Sequence, residues 1–511
     1  MKKTIKKYGK VSVASLLSGS IASLAFSPFD VWLAMIISLG MAFYLVQSVS
    51  PRRALLSGWL YGIGLFGAGA SWIYVSIHQF GAASVPLAGF LTALFVAAIS
   101  VLFVVPPFWL YAKLTSRGFC RDLWQRALLF SVLWVLFEWC RSWLLTGFPW
   151  LISGYTLLDT VFQSWAPVTG VYGLSFAIVL TSSLLGALAI SLLTEGRHLG
   201  KVWLFLCSLV AVWGCLSAPL ASVEWTKEEG ELTFSAVQGN IAQSLKWNPS
   251  YVQDTLSTYL ALTEAQWQSD LVIWPENAIP VLSNDARSFL EQLSQKAGMT
   301  STALITGIPL SSNGNTRSVK YFNGILALGH GEGHYAKQKL VPFGEYVPFD
   351  SVLRGLIAFF DLPMSSFSKG SRDQNPLTIN GIPIATYICY EVIYPDFAAS
   401  LARGTGFLVT VSNDTWFGHS IGPMQHFQMA RMRALETGRF LIRATNDGVT
   451  ALVNDKGVVV QQIPRFEAGV LSGTITVKKG NTPFMQLGSW PVVGLCLLLS
   501  GLILTGRKIR K

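Results

Sequence analysis

Long apolar runs alternate with short basic loops over the first 220 positions, and then the pattern changes abruptly. Eight apolar segments predict membrane-spanning helices, at 11–29, 31–49, 54–78, 85–112, 127–145, 168–193, 201–220 and 489–506. Polar residues return near Ser222-Val223-Glu224 and persist to Asn481-Thr482-Pro483. Within that stretch short β-type runs alternate with helical patterns. Strands are predicted at 232–238, 271–274, 303–307, 383–389, 407–412, 440–445 and 449–454. Helices are predicted at 251–268, 286–297, 393–403 and 425–437, where apolar residues recur with a 3.6-residue period. Such alternation implies a layered α/β domain with helices packed outside the sheets. The expected organisation is a membrane domain of seven helices (1–220), a water-facing α/β domain (221–485), and a final helix with a basic tail (486–511).

Composition and charge sharpen this picture. The chain is 51% hydrophobic and 13% charged, with a net charge of +11. Residues 221–485 carry 22 acidic and 20 basic side chains, so the positive excess belongs to the apolar part. It reflects membrane topology and gives no reason to expect nucleic acid. Lys2, Lys3, Lys6, Lys7 and Lys10 precede the first segment, and Arg52 and Arg53 lie in the second loop. Lys113, Arg117, Arg121 and Arg126 fill the fourth loop, Arg197 and Lys201 the sixth, and Arg507, Lys508, Arg510 and Lys511 the tail. The loops around 79–84 and 146–167 have neither Lys nor Arg. The positive-inside rule then places both termini in the cytoplasm and residues 221–488 on the outer side. The first apolar stretch lacks a convincing small-x-small exit and the next apolar run begins almost immediately, so it reads as a retained anchor.

Residues 349–367 are unusually apolar for a water-facing domain. With Leu356, Ile357, Phe359 and Phe360 at their centre, they read as an arm that dips into the bilayer interface. A buried helix is the alternative.

Chemistry concentrates around one thiol. Of six cysteines, only Cys389 lies in the polar domain, in 382-IPIATYICYEVIYPDF-397. A β-type run stops there at Tyr390-Glu391, a place where the chain can turn and expose sulfur. A reactive thiolate needs a base or a positive neighbour at such a turn. Two further motifs offer these groups. In 271-LVIWPENAIP-280 a hydrophobic strand ends with Glu276 at its mouth, and 335-YAKQKLVPFGEYVP-348 holds Lys337, Lys339 and Glu345 near a Gly turn. Taken singly, each of these charges reads as an ordinary surface residue.

In this order the three motifs resemble the carbon–nitrogen hydrolase (nitrilase) superfamily, whose fold is an α-β-β-α sandwich with a Glu-Lys-Cys triad. The resemblance implies Glu276, Lys337 and Cys389 as the triad and Glu345 as a second acidic residue beside it. It favours Lys337 over Lys339, because the pattern is Tyr-x-Lys followed by x-x-Leu. It extends over roughly 230–475, including 409-VTVSNDTWFG-418 and 431-RMRALETGRFLIRATNDG-448. Helices on both sides of such a domain, with 147-GFPWLISGY-155 and 238-QGNIAQSLKW-247, are similar to the bacterial apolipoprotein N-acyltransferase family. That likeness implies a phospholipid acyl donor, a diacylglyceryl apolipoprotein acceptor and a thioester on Cys389. It also implies a multi-pass protein of the bacterial inner membrane with a periplasmic catalytic domain. A membrane-tethered amidase, with water as the acceptor, is the alternative function.

Trp247, Tyr390 and Glu391 are candidate pocket residues, or else an interface anchor and a cap on the elbow. Glu138 and Arg141, three apart in the fifth apolar segment, suit a lipid head-group grip or an ion pair facing other helices. His330 and His334 lie in a Gly-rich turn without a third ligand nearby and read as a hairpin. The expectation is therefore a monomer without metal or cofactor, working on the lipid bilayer.

Overall fold

The computed structural model describes residues 2–47, 49–194, 199–312, 319–348 and 366–505. The chain divides into two compact units. One comprises 1–74, 85–223 and 487–511, and the other comprises 75–84 and 224–486.

The first unit is helical. Among the described residues, four helices are long and apolar enough to cross a membrane: Val85–Ser116, Leu123–Arg141, Val161–Leu193 and Leu199–Ala221. Pro51–Gly69 and Trp72–Phe80, bent by 56° at their junction, would make a fifth span. Three shorter apolar helices, Val11–Ala25, Trp32–Val46 and Trp490–Thr505, fill the remaining apolar segments. By length and composition, four or five spans are therefore found among the described residues, where eight were expected. Trp203, Leu204, Val210, Val212 and Leu216 of Leu199–Ala221 all face outward, which suits lipid and not water.

Glu138 and Arg141 have a definite task in this unit. The Glu138 carboxylate accepts from Trp134 Nε1 at 3.0 Å, Ser153 N at 2.8 Å and Ser153 Oγ at 2.7 Å. Arg141 donates to the carbonyls of Phe148, Trp150 and Leu151. Together they satisfy the carbonyls of Phe148, Trp150 and Leu151 and the Ser153 N–H in the irregular stretch within 147-GFPWLISGY-155.

The second unit is built on two sheets. Its strands are β1 (Lys227–Gln238), β2 (Leu271–Ile273), β3 (Ala303–Ser311), β4 (Tyr321–Gly329), β5 (Gly331–Glu332), β6 (His334–Ala336), β7 (Leu377–Ile379), β8 (Ile382–Ile388), β9 (Leu408–Ser412), β10 (Leu441–Thr445), β11 (Ala451–Val453), β12 (Val459–Gln462) and β13 (Gly469–Lys479). One sheet runs β13-β1-β2-β3-β4-β6 and the other β12-β11-β10-β9-β8-β7-β5. The centre of each is parallel, β1-β2-β3 and β8-β9-β10, with antiparallel neighbours outside. Side-chain alternation builds the layers. Leu232, Phe234, Leu271, Ile273 and Ile305 meet Ile384, Ile388, Val409, Val411 and Ile442 in a core shared by both sheets. Val272 and Leu304 point the other way, against Leu256, Tyr259, Leu290 and Leu293 of helices Val252–Thr263 and Arg287–Met299. Helices Pro395–Leu401 and Gly422–Thr437 pack against the second sheet, completing an α-β-β-α sandwich.

Every predicted strand forms. Strands β4, β5, β6, β7, β12 and β13 went unforeseen: β5, β6 and β7 are only two or three residues long, and in β4, β12 and β13 the alternation is weak and several positions remain exposed. The predicted arm residues Leu356, Ile357, Phe359 and Phe360 lie outside the described residues. His330 and His334 are both exposed around the β5 turn.

Candidate active site

The parallel strands of both sheets end at the same edge of the sandwich, and the candidate residues follow those ends. Glu276 comes three residues after β2. Its loop turns at Asn277, at φ +50°, a left-handed conformation that asparagine tolerates better than most residues. Gly307 of β3 lies directly beneath. A Cβ there would stand 2.5 Å from Asn277 N and 2.7 Å from Glu276 Cα, so only glycine admits the loop at this depth.

Lys337 follows β6 and is 1% exposed. Its ammonium lies 2.8 Å from Glu345 Oε1 and 3.5 Å from Glu276 Oε1. Asn323, in the middle of β4, donates from one amide nitrogen to both carboxylates, at 2.7 Å to Glu276 and 2.8 Å to Glu345. The other oxygen of Glu276 accepts from Asn413 N at 2.8 Å, and that of Glu345 from Val341 N at 2.8 Å. Burial works against the Lys337 charge, but Glu345 and Glu276 outweigh it and hold the ammonium well above the usual lysine range. Lys339 points elsewhere, with its Nζ 5.1 Å from the Tyr394 ring and 5.7 Å from that of Phe397.

Cys389 sits on a sharp elbow between β8 and the turn 389–393, at φ +49°. A non-glycine residue in that region stores about 1–3 kcal/mol of strain. The elbow is held by Glu391, whose carboxylate accepts from Ile388 N at 2.9 Å, Gln338 N at 2.7 Å, Lys339 N at 3.1 Å and Tyr335 OH at 2.9 Å. Glu391 thereby ties the thiol-bearing turn to the segment that carries Lys337. Burial pushes the Cys389 thiol up, Glu276 adds to the rise, and Lys337 opposes it. The resting sulfur therefore keeps its proton. Transfer of that proton to Glu276 would remove the negative charge that raises it, leaving Lys337 to stabilise the thiolate.

Thus Glu276, Lys337, Glu345, Cys389 and Glu391 converge on one place. Tyr390 is buried in the elbow with its ring 5.4 Å from that of Tyr394. Trp247 is half-buried at the end of the helical turn Gln243–Lys246, and no hydrogen bond joins its indole to the triad among the described residues. Lys246 was missed from the sequence. It is buried, its Nζ donates to the Glu276 carbonyl at 2.9 Å, and burial lowers its pKa to about 8. Asn323 was missed as well, although an asparagine within the apolar run YFNGILAL is a usable signal. Cys389, Asp414 and His426 offer ligand-type atoms within 4.8 Å of one another. Arg443 already contacts that group, 2.6 Å from Asp414 Oδ2.

A four-layer sandwich with a buried Glu-Lys pair and a strained cysteine at its strand ends defines a carbon–nitrogen hydrolase, and residues 233–481 match the model of that family. Residues 18–184 match the apolipoprotein N-acyltransferase N-terminal domain. The chain belongs to the apolipoprotein N-acyltransferase family. It is 47% identical to the apolipoprotein N-acyltransferase of Pseudomonas syringae pv. tomato, over 98% of this chain and 97% of that protein. It is 48% identical to that of Pseudomonas paraeruginosa, over 97% and 96%, and 39% identical to that of Coxiella burnetii, over 95% and 98%. Among solved structures it is similar to the C. elegans NitFhit protein, 15% identical, covering 52% of this chain and 65% of that one, at a TM-score of 0.39.

Proposed function

We propose that this enzyme moves an acyl chain from a phospholipid to the amino group of a diacylglyceryl apolipoprotein through a thioester on Cys389. The observation that carries the reading is the buried Glu276–Lys337–Glu345 cluster, with Lys337 shared between two carboxylates, beside a thiol held on a strained turn. Glu276 takes the thiol proton, and sulfur attacks the ester carbonyl. Lys337 and the backbone N–H of Tyr390 stabilise the oxyanion. Collapse breaks the ester C–O bond, Glu276 returns its proton to the leaving alkoxide, and a lysophospholipid departs. In the second half the acceptor amine attacks the thioester, Glu276 takes a proton from the nitrogen, and Cys389 leaves as thiolate to regain it. Glu345 and Asn323 keep Lys337 and Glu276 in register.

In this reading the catalytic unit faces the periplasm, both termini are cytoplasmic, and the protein sits as a monomer in the inner membrane. Apolar residues 349–367 form the lipid-facing arm. The basic loops support this orientation.

Mass spectrometry of the full-length protein after exposure to phospholipid provides the test. An acyl mass should appear on Cys389 and disappear on adding a diacylglyceryl peptide with a free amino terminus. Cys389→Ala should acquire none, and Lys337→Ala should acylate at least ~10²-fold more slowly, with Lys339→Ala close to native. An acyl mass elsewhere, or release as free fatty acid with no acylated peptide, defeats the proposal.

A further inference from the structure

Three ionisable side chains outside the Glu-Lys-Cys cluster are buried together behind the elbow. His426 projects from helix Gly422–Thr437, Asp414 opens the turn Asp414–Phe417, and Arg443 lies in the middle of β10. They are 1%, 2% and 0% exposed. His426 Nε2 lies 3.1 Å from the Cys389 carbonyl oxygen. Its Nδ1 is 3.1 Å from Asp414 Oδ1 and 3.1 Å from Arg443 Nη2, and Arg443 Nη2 reaches Asp414 Oδ2 at 2.6 Å. The Phe417 ring packs edge-on to the imidazole at 6.1 Å.

These partners assign the tautomer. A carbonyl oxygen can only accept, so Nε2 carries the proton it donates to Cys389. Nδ1 is then the bare nitrogen and accepts from Arg443. Burial and the Arg443 charge both depress the His426 pKa, against the pull of Asp414, which favours this neutral form. Burial would raise the Asp414 pKa, but the Arg443 guanidinium holds it below the usual carboxylate range. The same geometry gives the cluster a positive member in Arg443, so Asp414 is already neutralised.

Burying three such groups is expensive, and packing alone would be served better by an apolar residue of similar volume. The whole assembly converges on one acceptor, the carbonyl of the residue that carries the thiol. Across a planar trans peptide the next N–H lies antiparallel to that C=O. Fixing the Cys389 carbonyl therefore fixes the direction of the Tyr390 N–H. On a backbone strained at φ +49°, this contact adds to the turn 389–393 in holding that peptide.

We propose that His426, held by Asp414 and Arg443, is a positioning residue that pins the Cys389 carbonyl and so aims the Tyr390 N–H at the oxyanion of acyl transfer. The inference rests on the thioester reading and adds to it the device that sets the oxyanion donor.

Two reactions of the same sulfur separate this role from a merely structural one. Alkylation of Cys389 by iodoacetamide needs a thiolate but develops no oxyanion, whereas acylation by phospholipid needs both. Both are read on the Cys389 peptide by mass spectrometry, using full-length protein. His426→Ala should slow acylation by ~10²-fold, the range for losing one oxyanion donor, and leave alkylation within ~3-fold of native. His426→Gln keeps an N–H donor and cannot ionise, so it should recover at least ~10-fold of the lost acylation rate. Equal loss of both reactions in His426→Ala, or unchanged acylation, overturns the proposal. Should His426→Ala fail to fold, His426→Gln decides alone: acylation near native supports the pinned carbonyl, and an alkylation-competent variant with acylation down ~10²-fold refutes it. A wrong thioester reading shows itself differently, as a native protein that never gains an acyl mass.

Discussion

Among single residues, Glu391 illustrates how a buried charge can tie a site together and make stability depend on pH. Its two oxygens receive four donors, from Ile388, Gln338, Lys339 and Tyr335. Burial pushes its pKa up to about 7 from the ordinary 4.5, against the pull of those N–H groups and Lys337. The folded state thus holds this proton more tightly than the unfolded chain does. The resulting stabilisation is complete below pH 4.5 and is lost as pH rises through about 7. It amounts to at most about 3 kcal/mol. Glu391→Gln should unfold at lower temperature throughout, since its amide nitrogen meets backbone donors where an acceptor is needed, at a cost of ~1–3 kcal/mol. It should also lack the decline in stability between mildly acidic and neutral pH. Thermal unfolding of native and variant proteins across that window checks this, and parallel profiles would remove Glu391 as the titrating group. Cys389, Glu276 and Lys337 were all legible at this scale, because each sits in a short motif next to a strand. The choice of Lys337 over Lys339 came only from a family pattern, and space supplies the physical reason. The residue two positions on turns its ammonium to Tyr394 and Phe397.

At the level of the element, the active-site loops depend on close approach between neighbouring strands. Gly307 of β3 supports the Glu276 loop from below, and a methyl group there would collide with backbone atoms at 2.5 Å. Backbone cannot swing away as a flexible side chain can, so the loop itself must move. Gly307→Ala should therefore lower the acyl-enzyme rate by ~10–10²-fold, the usual penalty for a displacement near 1 Å, and lower stability by ~1–3 kcal/mol. Single-turnover acylation and thermal unfolding measure the two effects; native acylation with this substitution would show that Glu276 is not held by β3. Hydrophobic runs such as 271–274 and 407–412 were readable as strands because both faces of a central parallel strand are buried. β13 was not. It pairs with β1 across more than 200 residues of sequence, and its half-exposed pattern resembles a loop when read locally.

For the whole molecule, the alternating basic loops make a claim that does not depend on the catalytic chemistry. A reporter active only outside the cytoplasm should work when fused near Ser312 and fail near Arg121 or at the carboxyl terminus. The reverse pattern would put the catalytic unit on the cytoplasmic side and exclude periplasmic lipoproteins as acceptors. The composition changes at Ser222-Val223-Glu224, and the two compact units divide at 223–224. The exception is 75–84, the end of helix Trp72–Phe80 with the loop after it, which groups with the catalytic unit. There Ser76 Oγ donates to the Trp416 carbonyl at 2.7 Å and the Phe80 ring lies 6.0 Å from that of Trp416. What the sequence alone determined is whatever a window of some twenty residues can encode. That includes the apolar segments, the strand–helix alternation, the isolated thiol and the motifs carrying its partners. Only the tertiary structure decided which polar groups bury one another. Asn413 reaches Glu276 across 137 residues, Asn323 reaches it across 47, and His426 reaches the Cys389 carbonyl across 37. A buried polar group needs a partner from wherever the fold supplies one, and hydrogen bonding sets no rule on sequence separation.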